Sequence, residues 1–599
     1  MRRVTIVATE LRGFLPGGGM GTATTFLALA LARMGHAVEI LVARPDVEAI
    51  DPQWEAEYGR AGIRLRAAPP SGERVEPVHF ARPRNVELAL RTDPPDVVVV
   101  QDFAAPAYAA LRLRQAGLAF TNTLFVVYCH GTRRWVLDMS RKLAVDDLQH
   151  VLAVNVLERA SLELADVVVS PSGYLVDWMR AQRWRLPERT LVIPYFTRSG
   201  ATAEPVTRAQ VGGKMRRLAF FGRLEEKKGL TAFAAALNTL DPKLLEGVEL
   251  EFIGKPTATW SPERVEELLA GEARRALRSV SFTGELEQRA ALERLGRAGT
   301  LAVMPSTGDN SPNTVYECLE RGIPFVAGNA GGIPELVASD DRVDVLCEPT
   351  PEGIAATLRP ILSGERQLRA PRPAYDAAGS SQQWSEVIEM RPPRPPVGAA
   401  PAVDVVRGRS PAALREGAAP YIVLLDEHDV PHQDLVETLV RAQAASGADV
   451  VACGVRSGDT LHFSYGEPGG LGVLANHYGN VALYRRELLA DVTTPWPAEA
   501  DADWTPLAAL AARGARIVSL PIPLVTRARP PGSVERDPSD ALLAADQLER
   551  ALPGSLRQLA RLAAGLAAAD SAPSNGRPSR RLVRRVFRRL LRGPRRAFI

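Results

Sequence analysis

Asp309 and Glu317 stand eight positions apart in MPSTGDNSPNTVYECLERGIPFVAGNAGGIPELV, residues 304–337. The stretch reads as strand end, polar loop, helix, short strand, glycine turn and helix. Asn313 and Thr314 sit where that helix begins, ahead of Val315, Tyr316, Cys318 and Leu319. Free backbone N–H groups at such a start attract anions. Glu317, inside the helix, cannot hold a phosphate, but its carboxylate accepts hydrogen bonds from a sugar hydroxyl. A ligand that joins a diphosphate to hydroxyl-bearing rings, as a nucleotide sugar does, needs both kinds of group. Upstream, RRLAFFGRLEEKKGL places Arg223 and Lys228 near the C-terminal end of a strand. Two cations converging there can stabilise charge on a departing diphosphate. His130 ends the apolar run LFVVYCHG, and a strand's C-terminal end faces the crevice of an open α/β sheet.

The elements that must position these groups are visible as alternating strands and helices. VTIVA (4–8) reads as a first strand, followed by PGGGMGTATTFLALALARMGHAVEILVA. Gly17, Gly18, Gly19 and Gly21 permit close approach of backbone to a ligand. Thr22 or Thr24 is expected to cap the helix, whose apolar face includes Phe26, Leu27, Leu31 and Met34. GGGMG is a poor dinucleotide-binding fingerprint, and no acid follows the second strand where that fingerprint requires one. DVVVVQD and LFVVYCHG read as buried parallel strands. Residues 200–213, polar and glycine-bearing, read as an interdomain linker, after which strands recur at LEFIGKP, SVSFTGEL and LAVMPS.

These phrases together resemble retaining glycosyltransferases of family 4 with the GT-B fold, over about residues 1–392. In that family two Glu residues are separated by seven others and a GGIPE-type turn follows. Here the second is Glu317, and the first is replaced by Asp309, one methylene shorter. VVYCHG, ADVVVSPSGYL and GRL…KG match the family in position and order. The resemblance implies two Rossmann-like domains, 1–199 for the acceptor and 214–392 for the donor, facing across a cleft. SSQQWSEVIEM (380–390) would be the terminal helix that crosses back onto the first domain. It implies that Arg223 and Lys228 hold the donor diphosphate with the Asn313–Thr314 backbone. Glu317 would hold the ribose, Asp309 the donor hexose and His130 the reacting sugar. Gly19 and Gly21 would close a loop over the site, and Gly331 and Gly332 would bring backbone to the phosphates. No metal or other cofactor is required by this site; the donor would be a UDP-, GDP- or ADP-sugar. The acceptor would be a glycan or lipid-linked glycan in surface polysaccharide biosynthesis.

Residues 393–410 are proline-rich and read as a stiff linker. AAPYIVLLDEHDVPHQDLVETLVRAQAASGADVVACG then resembles the middle of a family 2 glycosyltransferase with the GT-A fold, in which an acidic turn binds a metal and the diphosphate. Asp426 and Asp429 are the metal candidates for Mg²⁺ or Mn²⁺, and Asp503-Trp504 falls where that family has an acid–Trp pair. A βαβ unit needs about 30 residues, more than separate the linker from LLDEHD. The module over 411–535 is therefore expected to be incomplete and degenerate. The alternatives are a bifunctional two-module polymer synthase and a non-catalytic glycan-binding scaffold.

The C-terminal region, 536–599, adds an alanine-rich helical stretch and RRLVRRVFRRLLRGPRRAFI. Residues 577–599 hold ten arginines and no acid, and without those ten the net charge falls from +4 to −6. Apolar pairs Leu582-Val583, Val586-Phe587 and Leu590-Leu591 alternate with arginine pairs, which on a helix gives one apolar and one cationic face. Such a helix suits an anionic membrane surface. No aromatic interleaving or RNA-binding motif points to nucleic acid.

A chain of 599 residues exceeds a single core, and 46% hydrophobic with 24% charged residues marks it as globular. Cys129, Cys318, Cys347 and Cys453 lack the spacing of a metal site or disulfide framework. The N-terminus reads as a buried strand rather than a leader. A reduced, cytoplasmic setting is expected, peripheral on the inner face of the membrane. The expected architecture is α/β. It comprises a GT-B pair of Rossmann-like domains, a smaller incomplete GT-A-like module and a basic amphipathic C-terminal helix.

Overall fold

The computed structural model describes residues 1–527 except 14–17, 141–147, 203–206, 210–214, 285–287, 368, 394–400, 409–416, 469–471, 473–475, 480 and 491–504. The stretches around Gly17, Asp503-Trp504 and the whole of 536–599, with the arginine-rich segment, lie outside the described residues.

The first sheet has seven parallel strands. They are β1 (Arg3–Ala8), β2 (Ala37–Val42), β3 (Ile63–Ala67), β5 (Val97–Gln101), β6 (Leu124–Tyr128), β7 (Val167–Ser170) and β8 (Thr190–Val192). β4 (Arg74–Glu76) leaves this sheet, as described below. The order is β3-β2-β1-β5-β6-β7-β8. β5 and β6 are buried at every residue, as their unbroken apolar runs require of strands covered on both faces.

The second sheet repeats the plan with β9 (Arg217–Phe221), β10 (Glu249–Ile253), β11 (Ser279–Thr283), β12 (Thr300–Met304), β13 (Phe325–Gly328) and β14 (Leu346–Cys347). Its order is β11-β10-β9-β12-β13-β14, again parallel. In each sheet the chain order reverses once, between β1 and β5 and between β9 and β12. Ligand crevices of open α/β sheets form at that reversal, outside the strands' C-terminal ends. The loops after β9 and β12 carry Arg223, Lys228 and Asp309.

The helix Ala377–Glu389 returns to the first domain as expected. Trp384, fully buried, meets Tyr128 edge-on at 5.3 Å, and Arg2 donates to the carbonyls of Ile388 and Met390 at 2.8 Å each.

The third sheet is mixed. β15 (Val403–Arg407) runs parallel to β16 (Tyr421–Leu425), which pairs antiparallel with β20 (Val481–Arg485). β18 (Val450–Ser457) joins β20, β19 (Thr460–His462) and β21 (Ile517–Thr526), and the short β17 (Val430–Pro431) pairs with β21. β15 falls inside the stretch read as linker: Val403, Val405 and Val406 favour strand, and β16 supplies their ladder. The sheet does not end within its own module. β19 pairs parallel with β4 of the first domain, Thr460 opposite Arg74 and His462 opposite Glu76. Around this joint Val75, Phe80, Tyr108, Ala153 and Leu157 pack with Leu461, Phe463 and Tyr465. The short module thus shares a sheet and a core with the first domain.

No helix among the described residues is long and apolar enough to cross a membrane. All four cysteines are buried free thiols.

Candidate functional site

The helix Asn313–Arg321 starts after Pro312 and ends at Gly322, whose φ of +66° closes it. Val315, Tyr316, Cys318 and Leu319 are buried, which turns Asn313, Glu317 and Glu320 toward a pocket between the domains. The first domain lines that pocket with Thr22 and Phe26, and the second adds Gln288 and Arg289. The Gln288 side-chain amide donates to Glu317. Burial pushes the Glu317 carboxyl up to about 7, against the Gln288 hydrogen bond, which favours the ionised form.

Asp309 lies in the loop after β12, and Lys228 at the end of the single turn Glu226–Lys228 after β9. The Lys228 Nζ is 2.5 Å from the Asp309 Oδ2, and both side chains are largely covered. The two groups expected to make separate contacts therefore form one ion pair. Arg223 is half-exposed and pairs with Glu225 at 3.2 Å. Lys227 faces the same Glu225 at 3.7 Å, and burial lowers its pKa.

Across the cleft, His130 follows β6. Its backbone N–H and that of Gly131 both donate to Asp102, at 2.9 and 3.0 Å. Its Nδ1 shares a hydrogen bond of 2.8 Å with the Tyr195 hydroxyl. Its Nε2 is buried and has no partner among the described residues. Burial holds the imidazole down to about 3, so the ring is neutral at physiological pH. Asp102 is fully buried, which pushes it up to about 6 against its backbone donors.

The domains meet over this region. The Asn310 amide donates to the His130 carbonyl at 3.3 Å, and Asn310 also pairs with the Ser172 hydroxyl. Asn313 donates to the Gly19 carbonyl at 2.9 Å. Glu335 accepts from the N–H groups of Gly173 and Tyr174, both at 2.7 Å, at the start of the helix Gly173–Ala181. Gly331 and Gly332 are forced by contact. A Cβ would stand 2.0 Å from the Asp309 carbonyl at the first and 1.9 Å from the Asn310 carbonyl at the second. These glycines therefore shape the Asp309–Asn310 loop. Gly21 packs on the Leu11 backbone, where a Cβ would come within 3.2 Å. Thr314 lies in the first turn of its helix.

Two expectations are corrected. Thr22 and Thr24 do not cap the first helix: it starts at Gly19, and Thr24 is buried, accepting from Gln101 at 2.7 Å. Asp426 and Asp429 do not form an open metal site. Arg527 reaches Asp426 at 2.7 Å and Asp429 at 2.6 and 2.9 Å, and Asp429 is almost fully buried. The guanidinium already neutralises the acidic turn, and the described residues hold no cluster suited to a metal ion. Asp102, Tyr195, Gln288, Asn310 and Glu335 were not singled out from the sequence. Only Asp102 carried a signal, since it directly follows β5 as His130 follows β6.

Residues 17–196 match the model of Glycosyltransferase Family 4, and residues 215–363 match that of Glycosyl transferases group 1. The first match spans the first parallel sheet apart from β1, and the second spans the whole of the second sheet. It is 29% identical over 263 residues to a D-inositol 3-phosphate glycosyltransferase of Geodermatophilus obscurus; the match covers 41% of this chain and 56% of that relative. It is 22% identical over 386 residues to an MMP alpha-(1->4)-mannosyltransferase of Mycolicibacterium hassiacum, covering 59% of this chain and 88% of that relative. A sucrose-phosphate synthase from Thermosynechococcus elongatus superimposes with a TM-score of 0.43 at 17% identity, over 65% of this chain and 96% of that one.

Proposed function

We propose that the chain is a retaining glycosyltransferase that moves a sugar from a nucleotide-sugar donor to a glycan or glycolipid acceptor, in surface polysaccharide biosynthesis. The observation that carries this reading is the contact between the two domains where the candidate residues lie: Asp309 pairs with Lys228 while its neighbour Asn310 donates to the His130 carbonyl, and Glu317 lines a pocket that both domains share. The two matched glycosyltransferase domains and the relatives named above support the transfer chemistry.

In this reading the Asn313–Thr314 end of the helix and Arg223 take the donor diphosphate. Glu317, aimed by Gln288, accepts from the ribose hydroxyls. Asp309 accepts from the donor hexose, with Lys228 holding its carboxylate in place and standing beside the leaving group. The free Nε2 of His130 faces the reacting sugar. The bond from the anomeric carbon to the diphosphate breaks as the bond to the acceptor oxygen forms on the same face. The acceptor proton passes to a leaving diphosphate oxygen. The protein supplies positioning and charge stabilisation. No residue of the cleft is needed as a covalent nucleophile, and the donor site needs no metal.

A second catalytic centre in the C-terminal module would require a cation at Asp426 and Asp429, a place Arg527 already holds. We therefore assign that module a packing role. Segment 577–599, outside the described residues, is proposed from its arginine pattern to attach the protein to anionic membrane. Full vesicle binding after its deletion would remove that proposal.

The reading is tested by a thermal-shift screen of the full chain against UDP-, GDP-, ADP- and CMP-sugars, with and without Mn²⁺. A ligand at a hundred times its dissociation constant adds about 2.7 kcal/mol of stability. A shift with one nucleotide, independent of Mn²⁺ and lost in Glu317→Ala, is expected. No shift with any of them, together with no donor hydrolysis, would favour a non-catalytic scaffold.

A further inference from the structure

Glu158 lies on the helix Leu148–Leu164 and has no solvent exposure. Its two oxygens are used on two loops. Oε1 accepts from the Ala104 N–H and Oε2 from the Arg133 N–H, each at 2.7 Å. Those loops follow the adjacent strands β5 and β6, on the crevice side of the first sheet. Ala104 and Ala105 have φ of +61° and +46°, a conformation that costs a residue with a Cβ and persists only where its surroundings hold it. Asp102, fully buried, pins the same two loops together by accepting from His130 and Gly131. A buried carboxylate is expensive to keep, and burial pushes Glu158 up to about 8 against its backbone donors. Four backbone hydrogen bonds on two carboxylates thus define where His130 stands.

The helix that carries Glu158 is in turn held from outside. Ala153 and Leu157 pack with Leu461, Phe463 and Tyr465 of the C-terminal module. Phe80 ties the layers, its ring 5.0 Å from Tyr465 and 5.8 Å from Phe463. The contact is continuous with the β4–β19 ladder.

We infer that Glu158 is a positioning residue for the acceptor side of the cleft, and that the C-terminal module acts on transfer by buttressing the helix that carries it. The inference rests on the transferase reading for its catalytic consequence and on geometry alone for its structural one. The module without an open metal site thereby gains a role: it completes the first domain. Glu158→Gln keeps the shape but replaces one acceptor oxygen by a donor, so one of the two backbone N–H groups loses its partner.

The test uses the full chain and two readouts. Hydrogen exchange resolved to single amides reports on loop positioning. Hydrolysis of UDP-, GDP- and ADP-glucose without added acceptor reports on catalysis. Glu158→Gln is expected to raise exchange about tenfold at one of the two amides, Ala104 or Arg133, whichever meets the new amide group, with the helix Asn313–Arg321 protected as in the wild type. It is expected to lower kcat about tenfold with the donor KM unchanged. Phe463→Ala, which leaves Glu158 in place, is expected to give the same pattern more weakly. Unchanged exchange at both amides in Glu158→Gln overturns the inference. So does a uniform rise across all three sheets, which marks a residue of general stability only. If the wild type hydrolyses none of the three donors, the transferase reading fails by itself, and the exchange pattern still decides the role of Glu158.

Discussion

Lys228 and Asp309 come from different loops, after β9 and after β12, and close on each other at 2.5 Å where the second sheet reverses its chain order. The pair does two things at once. It fixes the Asp309 carboxylate, and in the proposed reading it keeps a cation beside the donor diphosphate. Asp309→Ala is expected to lower turnover roughly a hundredfold, and Lys228→Ala by a similar factor. The double variant is expected to cost little more than either single one, because residues that act as a unit are not additive. Steady-state rates of the four proteins check this. An unchanged rate in Asp309→Ala would remove Asp309 from the site.

Glu317 gives the site a pH dependence whose sign follows from its burial. Its carboxyl is raised to about 7 in the free protein. In the proposed reading ribose hydroxyls donate to the ionised form, so donor binding favours loss of that proton. Donor affinity is expected to weaken about tenfold per pH unit below 7 and to level off above it. Stability of the free protein runs the other way. A raised folded pKa contributes stability that is present at low pH and lost as pH rises through about 7. Titration calorimetry from pH 5 to 8 checks the first statement. Glu317→Gln should bind weakly with no such slope.

Much of this site was legible because its parts lie close in sequence. The apolar runs VVVVQ and LFVVY can only be buried parallel strands, and the spacing of Asp309 and Glu317 across a helix start is local information. What could not be read joins distant residues or uses the backbone. Asp429 and Arg527 are 98 positions apart. Glu158 spends its carboxylate on backbone N–H groups, which carry no residue signature. Thr24 looked like a cap because threonine caps helices. Its burial against Gln101, 77 positions on, decides otherwise. β15 was masked by its prolines and revealed only by its partner β16.

Arg527 is 5% exposed and serves both Asp426 and Asp429. Removing one member of a buried ion pair leaves the other charged and unpaired, a loss of about 3 kcal/mol or more. Arg527→Ala is therefore expected to lower the denaturation midpoint of the C-terminal module clearly. Mn²⁺ is expected to leave the wild-type melting temperature unchanged, since the guanidinium occupies the acidic turn. A Mn²⁺-dependent shift that survives Glu317→Ala and disappears in Asp426→Ala would restore the metal site.

Gly332 couples the donor loop to the first domain through space that no side chain fits. A Cβ there would lie 1.9 Å from the Asn310 carbonyl and 2.8 Å from the Ser172 Cβ, both fixed groups. Its own N–H donates to the Asp309 carbonyl at 2.8 Å. Gly332→Ala must therefore displace the Asp309–Asn310 loop, and with it the Asn310 contacts to Ser172 and His130. Overpacking of this kind costs about 1–3 kcal/mol. The variant is expected to melt earlier and to lose its thermal shift with the donor nucleotide. Gly59→Ala is the control: nothing lies within 4 Å of its Cβ, and the residue ends the helix Pro52–Gly59. That change is expected to be neutral or to stabilise by up to about 1 kcal/mol. Equal donor shifts in the two variants would show that the Gly331–Gly332 turn does not set the donor loop.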